Sequence, residues 1–117
     1  MDITALLQTF LEDSGLSEGL CTVFVPHTTC GITINENADP DVRSDILMEL
    51  DKIVPLTDGY RHGEGNSAAH IKAGFMGSSV TIPVLGGTLA LGRWQGVYLC
   101  EFDGPRTRNV RISFISG

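Results

Sequence analysis

The first residues of the chain carry apolar side chains at the spacing of one helix face. Asp2 or Thr4 can cap this helix, and Gly15 is typical of a helix end. The spacing i, i+3, i+4, i+7, i+8 predicts a buried stripe along it. The stripe is Ile3, Leu6, Leu7, Phe10 and Leu11.

Two short runs then predict strands. Residues 20–25 are mostly apolar and β-branched and end at Pro26, while residues 31–34 alternate between apolar and polar side chains. The segment 26–30 joins the two runs. We therefore expect it to form a loop at the end of a buried strand.

Capping residues predict two further helices. Asp39 and Pro40 mark the start of the second, because Asp accepts hydrogen bonds from free amides and Pro suits the first helical position. Asn66 is predicted to cap a third helix over 67–73 that ends at Gly74. The buried stripe predicted on the second helix is Val42, Ile46, Leu50 and Ile53.

The carboxyl-terminal part is predicted to form strands, with Gly86 and Gly87 as a two-residue hairpin turn. No repeat or linker interrupts the chain, so residues 1–117 are predicted to be one domain with an α+β fold and an antiparallel sheet. The predicted strands are 80–85, 89–91, 97–102 and 109–115.

Charge is unevenly distributed along the 117 residues. The formal net charge is −6, with −9 in residues 1–60 and +3 in residues 61–117. The acidic total argues against general nucleic-acid binding, while the basic half leaves room for a local anion site.

No apolar run is long enough for a membrane helix, and the amino terminus lacks a basic signal-peptide region. Three cysteines form no CxxC pair, which fits a reducing compartment. We expect a cytoplasmic protein.

The three histidines, His27, His62 and His70, lie in or next to polar connections. They can converge as a metal or acid–base centre, or they can remain separate loop residues. Their spacing matches no short zinc motif, so the sequence does not decide between the two. Thr28 and Thr29 follow His27 at the strand end and either bind a ligand or bond to local backbone.

Amides and carboxylates surround the start of the second helix. Glu36, Asp39 and Asp45 offer oxygens that suit Mg²⁺, although Asp39 can be a helix cap alone. The loop from His62 runs into the third helix, where free amides favour phosphate at Asn66.

Two residue types allow opposed interpretations. Cys30, near His27, is either a thiolate nucleophile or a small core residue. Arg106 and Arg108, expected on one strand face, either bind phosphate or pair with Glu101 and Asp103.

Six segments in order resemble the YjbQ-like family over nearly the whole chain. They are His27-Thr28-Thr29, Asn35 to Pro40, His62 to Asn66, Ala69-His70, Leu91 to Gln95 and Glu101 to Arg106. The resemblance implies an α+β fold, a two-sheet β-sandwich-like mixed sheet with about three helices. It also implies a homotrimer. Family members usually begin with an amino-terminal hairpin, and this sequence starts where that hairpin should end. We therefore expect either a shifted gene start or a smaller sheet.

Some family members are named secondary thiamine-phosphate synthase, which implies an enzyme acting on a phosphorylated small molecule. The resemblance assigns catalysis to His27, His62, His70 and Glu36. The implied substrate-binding residues are Thr28, Thr29, Asn35, Asn66, Gln95 and Arg106. A divalent metal, Mg²⁺ or Zn²⁺, is expected on Asp39, Asp45, His62 and His70.

Two alternatives stay open. One is a metal-dependent hydrolase that uses His27, His62 and His70. The other is a non-catalytic trimeric ligand-binding module, in which the arginines and Glu101 pair across subunits.

Overall fold

The chain folds into three helices and six strands, as described by a computed structural model of residues 1–117. The helices are α1 (Thr4–Ser14), α2 (Pro40–Ile53) and α3 (Ser67–Met76). The strands are β1 (Glu18–Phe24), β2 (Cys30–Glu36), β3 (Ser79–Leu85), β4 (Thr88–Leu89), β5 (Gln95–Glu101) and β6 (Arg111–Ser116).

The strands form two sheets, one of four strands in the order β4-β3-β1-β6 and one of two strands, β2-β5. Every pair is antiparallel. In the larger sheet Cys21 lies between Ile82 and Phe114, and in the smaller sheet Ile32 lies opposite Leu99. The predicted α+β class, with two sheets and three helices, is confirmed.

The core lies where α1 and the inward-facing side chains of both sheets meet. Ile3, just before α1, is buried together with Leu7 and Leu11 on one face of the helix, and Gly15 ends the helix with a φ of 73°. Leu6 and Phe10 were predicted in this stripe but are 50% and 46% exposed. The two sheets cover only the narrower row at i, i+4 and i+8, which is Ile3, Leu7 and Leu11. The prediction of a wider buried stripe is therefore wrong.

Helix α2 begins as predicted, with Asp39 accepting a hydrogen bond of 2.9 Å from the amide of Asp41. Its apolar stripe is much less buried than predicted. Leu50 alone is buried, and Ile53 is 65% exposed. Val42 and Ile46 are half-buried.

Helix α3 runs through Gly74 to Met76, so its predicted end is wrong. Its alanines pack against β2, and the close approach depends on Gly31. A Cβ at Gly31 would lie 2.9 Å from Met76 Cβ and 3.0 Å from the carbonyl oxygen of Gly77.

The turn between β3 and β4 follows the prediction, since Gly86 and Gly87 have φ values of 59° and 74°. Strand β6 begins at Arg111 rather than residue 109. Arg106 and Arg108 therefore lie in the preceding loop and do not share a strand face. None of the helices is long and apolar enough to cross a membrane.

Candidate functional site

An open cleft of about 600 Å³ lies where the loop before β2 meets the start of α3 and the loop before β6. We call it the first cleft. It gathers six residues that the sequence marked as candidates: His27, Thr28, Thr29, Asn66, His70 and Arg106. Glu64, Ser78 and Arg108 also line it, together with the end of β1.

Arg108 fixes the loop that carries Thr28 and Thr29. Its Nη2 donates to the carbonyl oxygen of Thr29 at 3.3 Å and to the Thr29 hydroxyl at 2.9 Å. The amide of Phe102 also donates to the Thr29 carbonyl, at 3.2 Å. Thr29 is buried, and its hydroxyl therefore serves this anchor.

The same guanidinium forms a two-pronged ion pair with Glu101. Nε of Arg108 donates to Oε1 at 2.5 Å, and Nη2 donates to Oε2. The hydrogen bond from Arg108 lowers the pKa of Glu101 to about 2, and the pair raises the pKa of Arg108. Both groups are therefore charged throughout the physiological range.

Asp103 joins Arg106 to Asn66. Its Oδ2 accepts from Arg106 Nη2 at 2.9 Å and from Asn66 Nδ2 at 2.8 Å. Asn66 stands at the first position before α3, but its side chain makes no cap, contrary to the prediction. Its Oδ1 is buried without a partner. The side chain is thus held by a loop 37 residues away rather than by its own helix.

His27 is held from the opposite side of the cleft. The backbone amide of Asn109 donates to its Nε2 at 2.9 Å. An N–H can donate only to a ring nitrogen that carries no proton. The neutral ring therefore carries its proton on Nδ1.

The other two histidines are neighbours. The rings of His62 and His70 meet edge to face with centroids 5.4 Å apart, and Nε2 of His62 lies 3.9 Å from Oε2 of Glu64. His70 lines the first cleft, whereas His62 is exposed beside it. The cleft therefore offers His70 as an imidazole with no protein partner on either nitrogen.

Asn35 and Glu36 line a second cleft of about 610 Å³ between α2 and the β2-β5 sheet. Its lining is mostly apolar and includes Ile46, Leu47 and Leu50. The two clefts share Arg106 and Arg108. The loop before β6 is thus a common wall.

Besides His62, three candidates line neither cleft. Asp39 caps α2, Asp45 is exposed on the same helix, and Gln95 accepts a hydrogen bond of 2.7 Å from the amide of Gly92. No three His, Cys, Asp or Glu side chains come together as a set able to hold a metal ion. The structure therefore does not bring the expected set Asp39, Asp45, His62 and His70 together as metal ligands.

Cys30 is 1% exposed, and burial raises the pKa of its thiol. The thiol is therefore protonated at neutral pH, which favours the core interpretation over the nucleophile. Cys21 and Cys100 have raised pKa values for the same reason.

Sequence reasoning did not single out Glu64 and Ser78 as cleft residues, and it left the roles of Asp103 and Arg108 open. The sequence signal for Asp103 and Arg108 was the order of charges, with the acidic Glu101 and Asp103 followed by the basic Arg106 and Arg108. The structure shows that both carboxylates pair with the arginines within one chain.

Comparison with known proteins gives one consistent result. The family model described as UPF0047 protein YjbQ-like matches residues 1–117. YugU of Bacillus subtilis, a UPF0047 protein, is 49% identical over 116 residues, which cover 98% of this chain and 88% of that protein. A UPF0047 protein of Methanocaldococcus jannaschii is 45% identical and is covered to 83%, against 98% of this chain.

Solved structures agree. An uncharacterised YjbQ/UPF0047 protein of Clostridium acetobutylicum superposes with a TM-score of 0.95 at 57% identity, covering 98% of this chain and 89% of that one. A conserved hypothetical protein of Thermus thermophilus gives 0.91 at 43% identity, with 98% and 90% covered. With the family model spanning every residue, the chain belongs to the UPF0047, YjbQ-like family.

Proposed function

We propose that the first cleft binds the phosphate of a phosphorylated small molecule and that the protein is an enzyme acting on that molecule. The observation that carries the proposal is the convergence of His27, Asn66, His70 and two arginines on one cleft. Its volume of about 600 Å³ lies within the range of small-molecule sites.

The arginines keep donors free for an anion. Arg106 and Arg108 use Nε and Nη2 in their internal hydrogen bonds, and Nη1 of each has no protein partner. Carboxylates hold both guanidinium groups in place, so little ordering remains to be done when a phosphate binds.

His70 suits proton transfer to or from the bound molecule. It has no hydrogen-bond partner within the protein, and it projects from the first turns of α3. An imidazole can act as acid or base near neutral pH. The reaction that the family resemblance suggests joins a pyrimidine diphosphate to a thiazole phosphate: a bond forms to the thiazole nitrogen and the bond to pyrophosphate breaks. Hydrogen-bond donation from His70 would stabilise the negative charge that develops on the departing pyrophosphate.

The direct test is formation of thiamine phosphate from the two precursors in a buffer containing MgCl₂. We expect product with the natural chain and a loss of about 100-fold or more in His70→Ala, the usual size of a general acid–base contribution. Absence of product from folded protein, or full activity in His70→Ala, contradicts the proposed reaction.

We also propose that the chain assembles as a homotrimer. The support is the apolar surface that one chain leaves open. On α2, Leu47, Met48 and Ile53 are 51%, 48% and 65% exposed. A trimer is the state implied by the family resemblance. A non-catalytic trimeric binding module has the same support from α2, and the activity assay above distinguishes it from an enzyme.

A further inference from the structure

We propose that His27 is a neutral hydrogen-bond donor to an oxyanion and serves neither as the general base nor as a metal ligand. The proposal rests on the proposed function for the identity of the bound group, but its structural part stands on the loop geometry alone. It gives separate roles to two histidines that sequence reasoning had grouped together.

The amide of Asn109 determines the protonation of Nε2 of His27. The amide of Asn109 donates to this atom at 2.9 Å. A backbone amide cannot become an acceptor, so a proton on Nε2 would set two N–H groups against each other. In the observed arrangement the ring is uncharged, with its proton on Nδ1.

Nδ1–H of His27 has no hydrogen-bond partner within the protein. Among side-chain nitrogen and oxygen atoms, Asn66 Oδ1 alone is both buried and without a partner. Because Nδ1 of His27 also has no partner, it must be accessible to solvent. His27 lines the first cleft and not the second. Nδ1–H is therefore available to a molecule in the first cleft.

The groups around Nδ1–H in the first cleft favour an anionic ligand. Nη1 of Arg106 and Nη1 of Arg108 are likewise unpartnered, and both arginines line this cleft. His27, Arg106 and Arg108 thus each present a hydrogen-bond donor to the first cleft and no acceptor. Such a set matches the oxygens of a phosphate or a pyrophosphate.

The same geometry argues against His27 as a metal ligand. A metal-bound histidine normally donates its second N–H to a carbonyl or carboxylate oxygen. Here the second nitrogen faces an N–H donor. Coordination through Nδ1 would require a ring without any proton or loss of the Asn109 hydrogen bond. The His27, His62 and His70 metal site of the hydrolase alternative is therefore disfavoured.

The experiment is a long-range proton–nitrogen NMR spectrum of the ¹⁵N-labelled chain at pH 7, recorded alone, with inorganic phosphate and with ZnCl₂. We expect His27 as the neutral Nδ1–H tautomer in all three samples. Assignment uses the loss of its signals in His27→Gln. An Nε2–H tautomer, an imidazolium at pH 7 or a zinc-dependent shift of His27 nitrogens overturns the inference.

Two variants at one position test the cause. Asn109→Ala keeps the backbone amide and is expected to leave the His27 tautomer unchanged. Asn109→Pro removes the amide and is expected to let Nε2–H or imidazolium populations appear. The amide spectrum checks that each variant is folded. An identical tautomer in a folded Asn109→Pro protein contradicts the assigned role of the amide.

Phosphate binding tests the function of the donor separately. In His27→Gln the amide oxygen can replace Nε2 as the acceptor for Asn109, but the donor at Nδ1 is lost. We expect the Kd for inorganic phosphate to rise about tenfold, as for loss of one hydrogen bond to a charged group. An unchanged Kd overturns the donor role. If the natural chain binds no phosphate, the proposed function fails, while the tautomer result still decides the state of His27.

Discussion

At the scale of single residues, the site depends on contacts between side chains that are distant in sequence. Arg108 joins Glu101 to Thr29, and Asp103 joins Arg106 to Asn66. Each arginine thus leaves only part of its donor set for a ligand. The first cleft is therefore less strongly positive than its arginines alone would suggest.

The Glu101–Arg108 pair makes stability depend on pH. The pKa of Glu101 falls from 4.5 to about 2, so its contribution is fully present above 4.5 and is lost as the pH falls through about 2. Glu101→Gln is expected to lower the free energy of unfolding at pH 7 by about 1–2 kcal/mol. Urea unfolding at several pH values measures this, and the difference from the natural chain should shrink below pH 4.5.

Glu49→Gln is the matched control. Glu49 pairs with Lys52 at 3.4 Å on the surface of α2, and its side chain is 56% exposed. Such pairs contribute little. An equal loss of stability in both variants would show that the two-pronged ion pair of Glu101 is not the cause.

At the scale of elements, the packing of α3 on β2 sets the position of His70. Gly31 allows this packing, because a Cβ there would lie 2.9 Å from Met76 Cβ and 3.0 Å from a carbonyl oxygen. Gly31→Ala is expected to push α3 away from the sheet and to destabilise the chain by about 1–3 kcal/mol. Thermal unfolding and the NMR shifts of His70 provide the measurements.

Gly74→Ala serves as the comparison within the same helix. Nothing lies within 4 Å of a Cβ at this position. Because Ala favours a helix interior over Gly, we expect a gain of about 0.5–1 kcal/mol. A loss of stability in Gly74→Ala, or none in Gly31→Ala, contradicts this account of the packing.

Elements whose signals are local were predictable from the sequence. Asp39 and Pro40 start α2 through contacts within a few residues, and Gly86 makes its turn in the same way. The side-chain contact of Asn66 could not be predicted, because its partner Asp103 lies on a distant loop. The tautomer of His27 depends on the amide of Asn109, 82 residues away.

The candidate site was predictable as a set of residues but not as one place. Six of the candidates meet in the first cleft, whereas Asn35 and Glu36 lie in the second and Gln95 in neither. Polar motifs reveal which side chains are available. The two-sheet topology decides which of them become neighbours, and no short motif encodes it.

At the scale of the whole molecule, the exposed apolar side chains of α2 predict assembly. Ile53, 65% exposed, lies in the same row of the helix as Leu50. Ile53→Glu is expected to weaken the proposed trimer, because a charge placed in an apolar interface must lose its hydration. Ser44→Glu adds the same charge at an exposed polar position on the opposite side of the helix. Light scattering at several concentrations measures the mass, and a smaller mass is expected for Ile53→Glu alone. A monomeric natural chain would refute the trimer.

The loop before β6 gives the molecule a further property, since Arg106 and Arg108 line both clefts. A molecule that displaced this wall on entering one cleft would change the affinity of the other. Thermodynamic linkage requires the second cleft to act on the first by the same factor. Two sites of different chemistry, one polar and one mostly apolar, would then respond to each other over the width of a single loop.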